Sequence, residues 1–73
     1  MPLVEISIVA GRPPSMVRDL IHQVHAAVRD SLDAPDGAIR VLVREIPPEH
    51  WAAGDITKAE QAEQAEQEAS HER

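Results

Sequence analysis

The sequence contains no cysteine, no phenylalanine and no tyrosine, and its single aromatic residue is a tryptophan. The lack of cysteine excludes disulfide bridges and thiolate metal sites. The lack of aromatic side chains removes the residues that contribute most to a small hydrophobic core. A chain of 73 residues is at most one domain, and a domain of this size is only marginally stable alone. Because 42% of the residues are nonetheless hydrophobic, the sequence predicts a folded protein that is stabilised by self-association.

Positive charge is also scarce. Lysine and arginine number 7 against 13 acidic residues, which gives a net charge of −6, and residues 55–73 hold 6 of the acids and 2 of the bases. An acidic chain without aromatic stacking platforms is a poor nucleic-acid binder. No apolar run approaches the roughly 20 residues of a membrane span, and the N-terminus lacks the basic region of a signal peptide. We therefore expect a cytoplasmic protein that binds neither nucleic acid nor membrane.

The hydrophobic pattern predicts a single β-α-β unit of the α/β class. β-branched residues alternate over Leu3–Val9 and again over Ile39–Ile46, as they do in strands. Between them, Pro13-Pro14-Ser15 begins a helix that Pro35 ends near residues 32–33. The apolar stripe of this helix comprises Val17, Leu20, Ile21, Val24, Ala27, Val28 and Leu32. A crossover of this length joins parallel strands, and both faces of the sheet are expected to be mostly apolar, so a second copy should cover the face that lacks the helix.

The remaining chain divides into a loop and an acidic tail. Residues 49–55 are interpreted as a loop that carries Trp51. From Lys58 onward the triplet Ala-Glu-Gln occurs three times, which favours a solvated helix or a frayed tail over a coiled coil, because alanine alone cannot drive firm docking. The predicted organisation is a domain over 1–54 and an Ala/Glu/Gln-rich tail over 55–73 that is helical or disordered.

Pro2 is the sharpest chemical feature. Removal of the initiator methionine before a small residue would leave a secondary amine, which an apolar pocket near arginines could keep neutral as a general base. Most Met-Pro starts have no such role. Arg12 and Arg40 fall at opposite ends of parallel strands, so they would converge only across subunits. Taken alone, each arginine is more often a surface side chain in an ion pair than a ligand for a substrate carboxylate. Trp51 is a packing anchor or the wall of a ligand pocket.

The histidines carry a weaker signal. His22 and His25 lie three residues apart on the polar helix face, and a metal site would need a third ligand. We interpret them as solvated side chains and expect no metal. His50 is interpreted as structural, and His71 in the tail carries no signal.

The chain resembles the 4-oxalocrotonate tautomerase family of the tautomerase superfamily over about residues 2–54. The motifs that carry the resemblance fall at the family's spacing: Met1-Pro2-Leu3-Val4-Glu5-Ile6, Gly11-Arg12, Ser31-Leu32-Asp33-Ala34-Pro35, Ile39-Arg40-Val41, and Glu45 with His50-Trp51. The chain departs from the family after the tryptophan, where Ala52-Ala53-Gly54-Asp55 and the repeat replace a Gly-rich hairpin.

The resemblance implies a role for each of four residues. Pro2, freed of Met1, would shuttle a proton, and Arg12 would hold a substrate carboxylate. Arg40 of a neighbouring subunit would bind and polarise a carbonyl oxygen, and Trp51 would keep the site apolar. The resemblance also implies that no cofactor is needed, that two chains form a four-stranded sheet, and that three such dimers form a hexamer.

The expected function is therefore that of an isomerase. It would catalyse keto-enol or dienol tautomerisation of a small 2-keto or 2-hydroxydienoic carboxylic acid. One alternative is a superfamily hydratase, dehalogenase or decarboxylase that uses the same proline with a carboxylate to position water, for which Glu5, Glu45, Glu49 and Asp55 are available. The other is a non-catalytic oligomeric module, if Met1 is retained.

Overall fold

The computed structural model describes residues 1–71, with side chains described through residue 66. Its strands and helices, in chain order, are β1 (Leu3–Val9), α1 (Pro14–Leu32), β2 (Arg40–Ile46), β3 (Ala52–Ala53), β4 (Ile56–Thr57) and α2 (Lys58–His71). Two short 3₁₀ turns, Asp36–Ala38 and Pro48–His50, lie before and after β2. None of the described helices is long and apolar enough to span a bilayer.

The β-α-β prediction is confirmed. β1 and β2 are parallel, and their register runs from the pair Leu3 and Arg40 to the pair Val9 and Ile46. β2 begins one residue later than predicted, because Ile39 caps the preceding 3₁₀ turn. The side chain of Ile39 is the most deeply buried apolar group of the described chain, with 7% of its surface exposed.

Helix α1 begins and ends close to its predicted bounds. Pro14 occupies its first turn, where the missing N–H costs nothing, and Asp33 ends it in a left-handed conformation with φ of 51°. Two members of the predicted stripe are exposed, namely Ala27 and Leu32. Ala27 lies at one border of the stripe and Leu32 at the end of the helix, and a sheet of two strands is too narrow to cover both.

The sheet face that lacks the helix is less apolar than expected. Leu3 and Leu42 are 58% and 49% exposed there. The same face also carries an ion pair between Arg44 Nη2 and Glu5 Oε1, 3.3 Å apart. The two-residue period of a strand places these charged residues on the same side as the leucines, so the exposed face mixes apolar and charged groups.

The segment predicted as a loop contains a strand. Ala52 pairs with Thr57 and Ala53 with Ile56 in an antiparallel hairpin, and residues 54 and 55 form its turn. Gly54, the first of its two turn residues, has φ of 66°, a conformation that glycine adopts without a steric penalty. The loop prediction for Ala52–Ala53 was therefore wrong. The Ala-Glu-Gln repeat that follows lies in α2.

Candidate active site

Pro2 and Arg40 lie side by side at one edge of the β1–β2 sheet. The register pairs Leu3 with Arg40, and the main-chain N–H of Arg40 donates to the carbonyl oxygen of Pro2 at 3.0 Å. Pro2 is half-buried, whereas Met1 before it is 89% exposed. While Met1 is attached, the Pro2 nitrogen is an amide without basic character. Removal of the exposed methionine would leave a secondary amine at this edge.

The Arg40 guanidinium is held on one side only. Its Nη1 donates to the carbonyl oxygen of Gly37 at 2.6 Å and lies 3.4 Å from that of Ile39. A guanidinium carries five N–H donors. Within the described chain its hydrogen bonds all come from Nη1, so the Nε and Nη2 donors remain available to a ligand. Arg40 is thus an exposed cation with a fixed attachment to the backbone beside it.

Arg12 lies at the opposite edge of the sheet. Its Nη1 donates to the carbonyl oxygen of Val9 at 3.0 Å, just beyond the end of β1. Gly11, which precedes Arg12, has φ of 129°, a conformation that residues other than glycine rarely adopt. The six residue steps from Leu3 to Val9 span about 20 Å of strand. Within one chain, Arg12 therefore does not meet Pro2 or Arg40, which is the separation that parallel strands predict.

Trp51 is half-buried and follows the Pro48–His50 turn. Its carbonyl oxygen accepts the main-chain N–H of Lys58 at 2.8 Å, at the start of α2. The segment that carries it leaves β2 at Ile46, which is the edge where β1 also ends. One chain therefore presents Pro2 and Arg40 at one edge, and Arg12 with the Trp51 segment at the other.

The four acids considered for positioning water are not gathered near Pro2. Glu5 faces away from α1 and is paired with Arg44. Glu45, Glu49 and Asp55 are exposed. Nothing in the described contacts brings one of these carboxylates to the Pro2 edge.

Sequence reasoning missed the position of His25. The side chain is 30% exposed, and its Nε2 lies 3.3 Å from the carbonyl oxygen of Asp36 and 3.5 Å from Asp36 Oδ1. It also contributes to an open groove of about 320 Å³ between α1 and β2, whose other lining residues are Ile21, His22, Ile39 and Val41. The partners His25 and Asp36 are eleven residues apart, and no local pattern predicts such a contact.

Asp36 is also approached by Arg29. Arg29 Nη1 lies 3.7 Å from Asp36 Oδ1, and its Nε donates to Asp30 Oδ1 at 3.0 Å. The hydrogen bond and charge of Asp30, followed by the charge of Asp36, raise the pKa of Arg29 above its ordinary value. Arg29 is thus a permanent cation already engaged by two carboxylates.

The described residues do not gather a metal site. Among the side chains described, those of residues 1–66, no group of three or more histidine, cysteine, aspartate and glutamate residues is placed to hold an ion. His22 and His25, the pair considered from the sequence, belong to the groove on α1 instead.

Comparison with known proteins identifies the family. A sequence model described as "Tautomerase enzyme" matches residues 2–61. The 2-hydroxymuconate tautomerase of Pseudomonas sp. strain CF600 is 41% identical over 54 residues, which cover 74% of this chain and 86% of that protein. A probable tautomerase of Staphylococcus epidermidis strain RP62A is 31% identical over 61 residues, covering 84% of this chain and all of that protein.

Solved structures show the same fold. TomN, a 4-oxalocrotonate tautomerase homologue of the tomaymycin biosynthetic pathway, superposes with a TM-score of 0.81 at 37% identity, covering 85% of this chain and 95% of that one. A heterohexameric 4-oxalocrotonate tautomerase from Chloroflexus aurantiacus J-10-fl gives a TM-score of 0.77 at 33% identity, with coverage of 82% and 97%. With a parallel β-α-β unit and a family match over residues 2–61, the chain belongs to the tautomerase family.

Proposed function

We propose that this protein is a cofactor-independent tautomerase in which Pro2, freed of Met1, is the general acid and base. The substrate class is a small 2-keto or 2-hydroxydienoic carboxylate. The observation that carries the proposal is the half-buried Pro2, whose carbonyl oxygen is hydrogen-bonded to Arg40 at a sheet edge. Each chain thus brings a possible proton-shuttling amine and an arginine to the same edge of its sheet, and copies assembled around a substrate would place the amine of one chain beside the Arg40 guanidinium of another, which can stabilise developing negative charge.

The proposed reaction needs one base and two cations. Arg12 binds the substrate carboxylate through a charge-assisted hydrogen bond. The lone pair of the Pro2 nitrogen takes a proton from the carbon beside the carbonyl, and the C–H electron pair forms a carbon–carbon double bond. Negative charge gathers on the carbonyl oxygen, where Arg40 of a neighbouring copy binds it. Protonated Pro2 returns the proton to another carbon, so the net change is an isomerisation.

The proposed site is completed by assembly. One chain keeps Arg12 about 20 Å of strand away from Pro2, so both cations reach one substrate only if copies are juxtaposed. Leu3 and Leu42, at 58% and 49% exposure, offer an apolar surface for such contacts. The hexameric assembly of the Chloroflexus relative supports a trimer of dimers. In that assembly, Trp51 lines the apolar wall of the pocket.

The first experiment is an intact-mass measurement on protein from the native host. We expect the mass of a chain that lacks Met1. Persistence of methionine on the whole population would overturn the proposal and favour a non-catalytic oligomeric module, because the Pro2 nitrogen would then be an amide.

The second experiment is an activity assay with Pro2→Ala as the matched variant. Alanine also permits methionine removal but supplies a primary amine, so it isolates the contribution of the proline ring. With 2-hydroxymuconate or phenylenolpyruvate, we expect ketonisation by the native protein and a loss of about 100-fold in the variant, within the range of general acid–base catalysis. Equal rates at the uncatalysed level for both proteins would refute the tautomerase assignment.

A further inference from the structure

We propose that His25 is a positioning residue for Arg40 and acts through the Asp36–Ala38 turn. The inference deepens the proposed function and rests on it, because it takes Arg40 as the group that stabilises the substrate oxygen. His25 does not touch Arg40. The connection runs from α1 to the turn, and from the turn to the guanidinium.

The first contact joins α1 to the turn. His25 Nε2 faces the carbonyl oxygen of Asp36 at 3.3 Å and the carboxylate oxygen Oδ1 at 3.5 Å. Both are acceptors, so Nε2 carries the hydrogen and donates. Arg29, one helical turn later on the same face, reaches the same carboxylate at 3.7 Å. Two side chains of α1 therefore hold the first residue of the turn.

The second contact joins the turn to Arg40. The main-chain N–H of Ala38 donates to Pro35 at 3.0 Å, and that of Ile39 lies 3.4 Å from the Asp36 carbonyl oxygen. The Gly37 carbonyl oxygen, inside this turn, accepts from Arg40 Nη1 at 2.6 Å. A shift of the turn would therefore move the attachment point of the guanidinium.

The role of His25 is geometric rather than stabilising. Asp36 is 70% exposed, and ion pairs with exposed partners add little to the free energy of unfolding. The burial of Ile39, at 7% exposure, fixes the C-terminal side of the turn, whereas its N-terminal side depends on His25 and Arg29. Misplacing by about 1 Å a cation that stabilises the transition state costs about 100-fold in rate. A loose turn would therefore lower kcat far more than it lowers the free energy of unfolding.

His22 provides a matched control on the same helix. It lies three residues before His25 and lines the same groove, but it is exposed and is not among the side chains bonded to the Asp36–Ala38 turn in the described chain. Replacing either histidine by phenylalanine keeps a planar ring and removes both nitrogens. Only the change at His25 would release the turn.

The experiment compares His25→Phe, His25→Gln and His22→Phe in the full-length protein with 2-hydroxymuconate. We expect His25→Phe to lower kcat about tenfold with KM nearly unchanged, because Arg12 still binds the carboxylate. We expect His25→Gln to recover most of kcat, since its amide N–H can reach the Asp36 carbonyl oxygen, and His22→Phe to stay within twofold of native. The melting temperatures of the three variants should agree closely.

A second readout does not depend on activity. The Arg40 Nε–H signal in ¹⁵N–¹H spectra should broaden or shift in His25→Phe and stay unchanged in His22→Phe. If the native protein is inactive but this difference is seen, the proposed function fails while the coupling of His25 to Arg40 stands. If His25→Phe matches His22→Phe in both kcat and the Arg40 signal, or if kcat falls only in proportion to folded protein, the positioning role is refuted.

Discussion

The carbonyl oxygen of Pro2 accepts the main-chain N–H of Arg40 at 3.0 Å, and this bond fixes the two residues at the same edge of the sheet. Arg12 hydrogen-bonds the chain at Val9, beyond the other end of the same strand. The proposed base therefore has one arginine as a backbone neighbour and the other at the far edge. This separation means that the proposed roles of the two arginines can be tested independently.

Replacing each arginine by glutamine should affect different kinetic constants. Arg12→Gln should raise KM about tenfold, because it removes a charged hydrogen bond to the substrate carboxylate. Arg40→Gln should lower kcat about 100-fold, as the loss of one donor to a developing oxyanion does. Arg18→Gln, an exposed change on α1, is the control and should match native protein. Steady-state kinetics measure both constants, and equal effects of the two changes on kcat and KM would contradict the assigned roles.

The exposed face of the sheet should be required for assembly. Leu42 is 49% exposed there and is paired in register with Glu5. Leu42→Glu removes an apolar side chain whose full burial in the interface would contribute about 1.5–3 kcal/mol of free energy per copy. It also places a second carboxylate opposite Glu5. We expect size-exclusion chromatography with light scattering to show smaller species and reduced activity. Leu32→Glu, at the end of α1, is the control, and an unchanged particle size in Leu42→Glu would show that this face is not the interface.

The hairpin turn should depend on Gly54. Its φ of 66° lies in the left-handed region, which costs side-chain-bearing residues about 1–2 kcal/mol. Gly54→Ala should lower the free energy of unfolding by about 1 kcal/mol in urea titrations. Gly37→Ala is a suitable control, because its φ lies outside that region and an added Cβ meets no atom within 4 Å. Equal stabilities of the two variants would argue against the hairpin conformation.

The start of α2 should respond to acid through Glu60. Its carboxylate accepts from the main-chain N–H of Thr57 at 2.9 Å, and from the Thr57 hydroxyl at 3.1 Å. The Thr57 hydroxyl in turn accepts from the Glu60 N–H at 3.1 Å, which completes a capping box. These bonds hold the pKa of Glu60 below its ordinary value of 4.5, the main-chain bond contributing most.

A lowered pKa means that ionised Glu60 stabilises the cap above pH 4.5 and that this contribution is lost as the pH falls through the folded-state pKa. Circular dichroism should show native α2 losing helix over this range. Glu60→Gln should lack that component of the titration, while Glu63→Gln, one turn further along, should retain it. Identical titrations of the two variants would exclude a role for the cap.

The regular elements of the fold could be predicted from the sequence because their signals are local. Alternating β-branched residues gave β1 at its observed bounds, and apolar residues spaced by three and four gave α1. The hairpin could not be predicted in this way, because alanine has little strand preference. The pairing of Ala52 with Thr57 depends instead on the turn at Gly54, which brings the two residues side by side. The exposure of Ala27 likewise depends on the width of the sheet that α1 covers.

The sequence by itself determined the β-α-β order, and with it the placement of Arg12 and Arg40 at opposite ends of parallel strands, because strand direction follows from the length of the crossover. Only the tertiary structure decided that His25 meets Asp36 and that Arg40 is attached to Gly37. Hydrophobic periodicity records which way a side chain faces along its own element. A contact between residues on different elements depends on packing and loop geometry, which no single segment of the chain encodes.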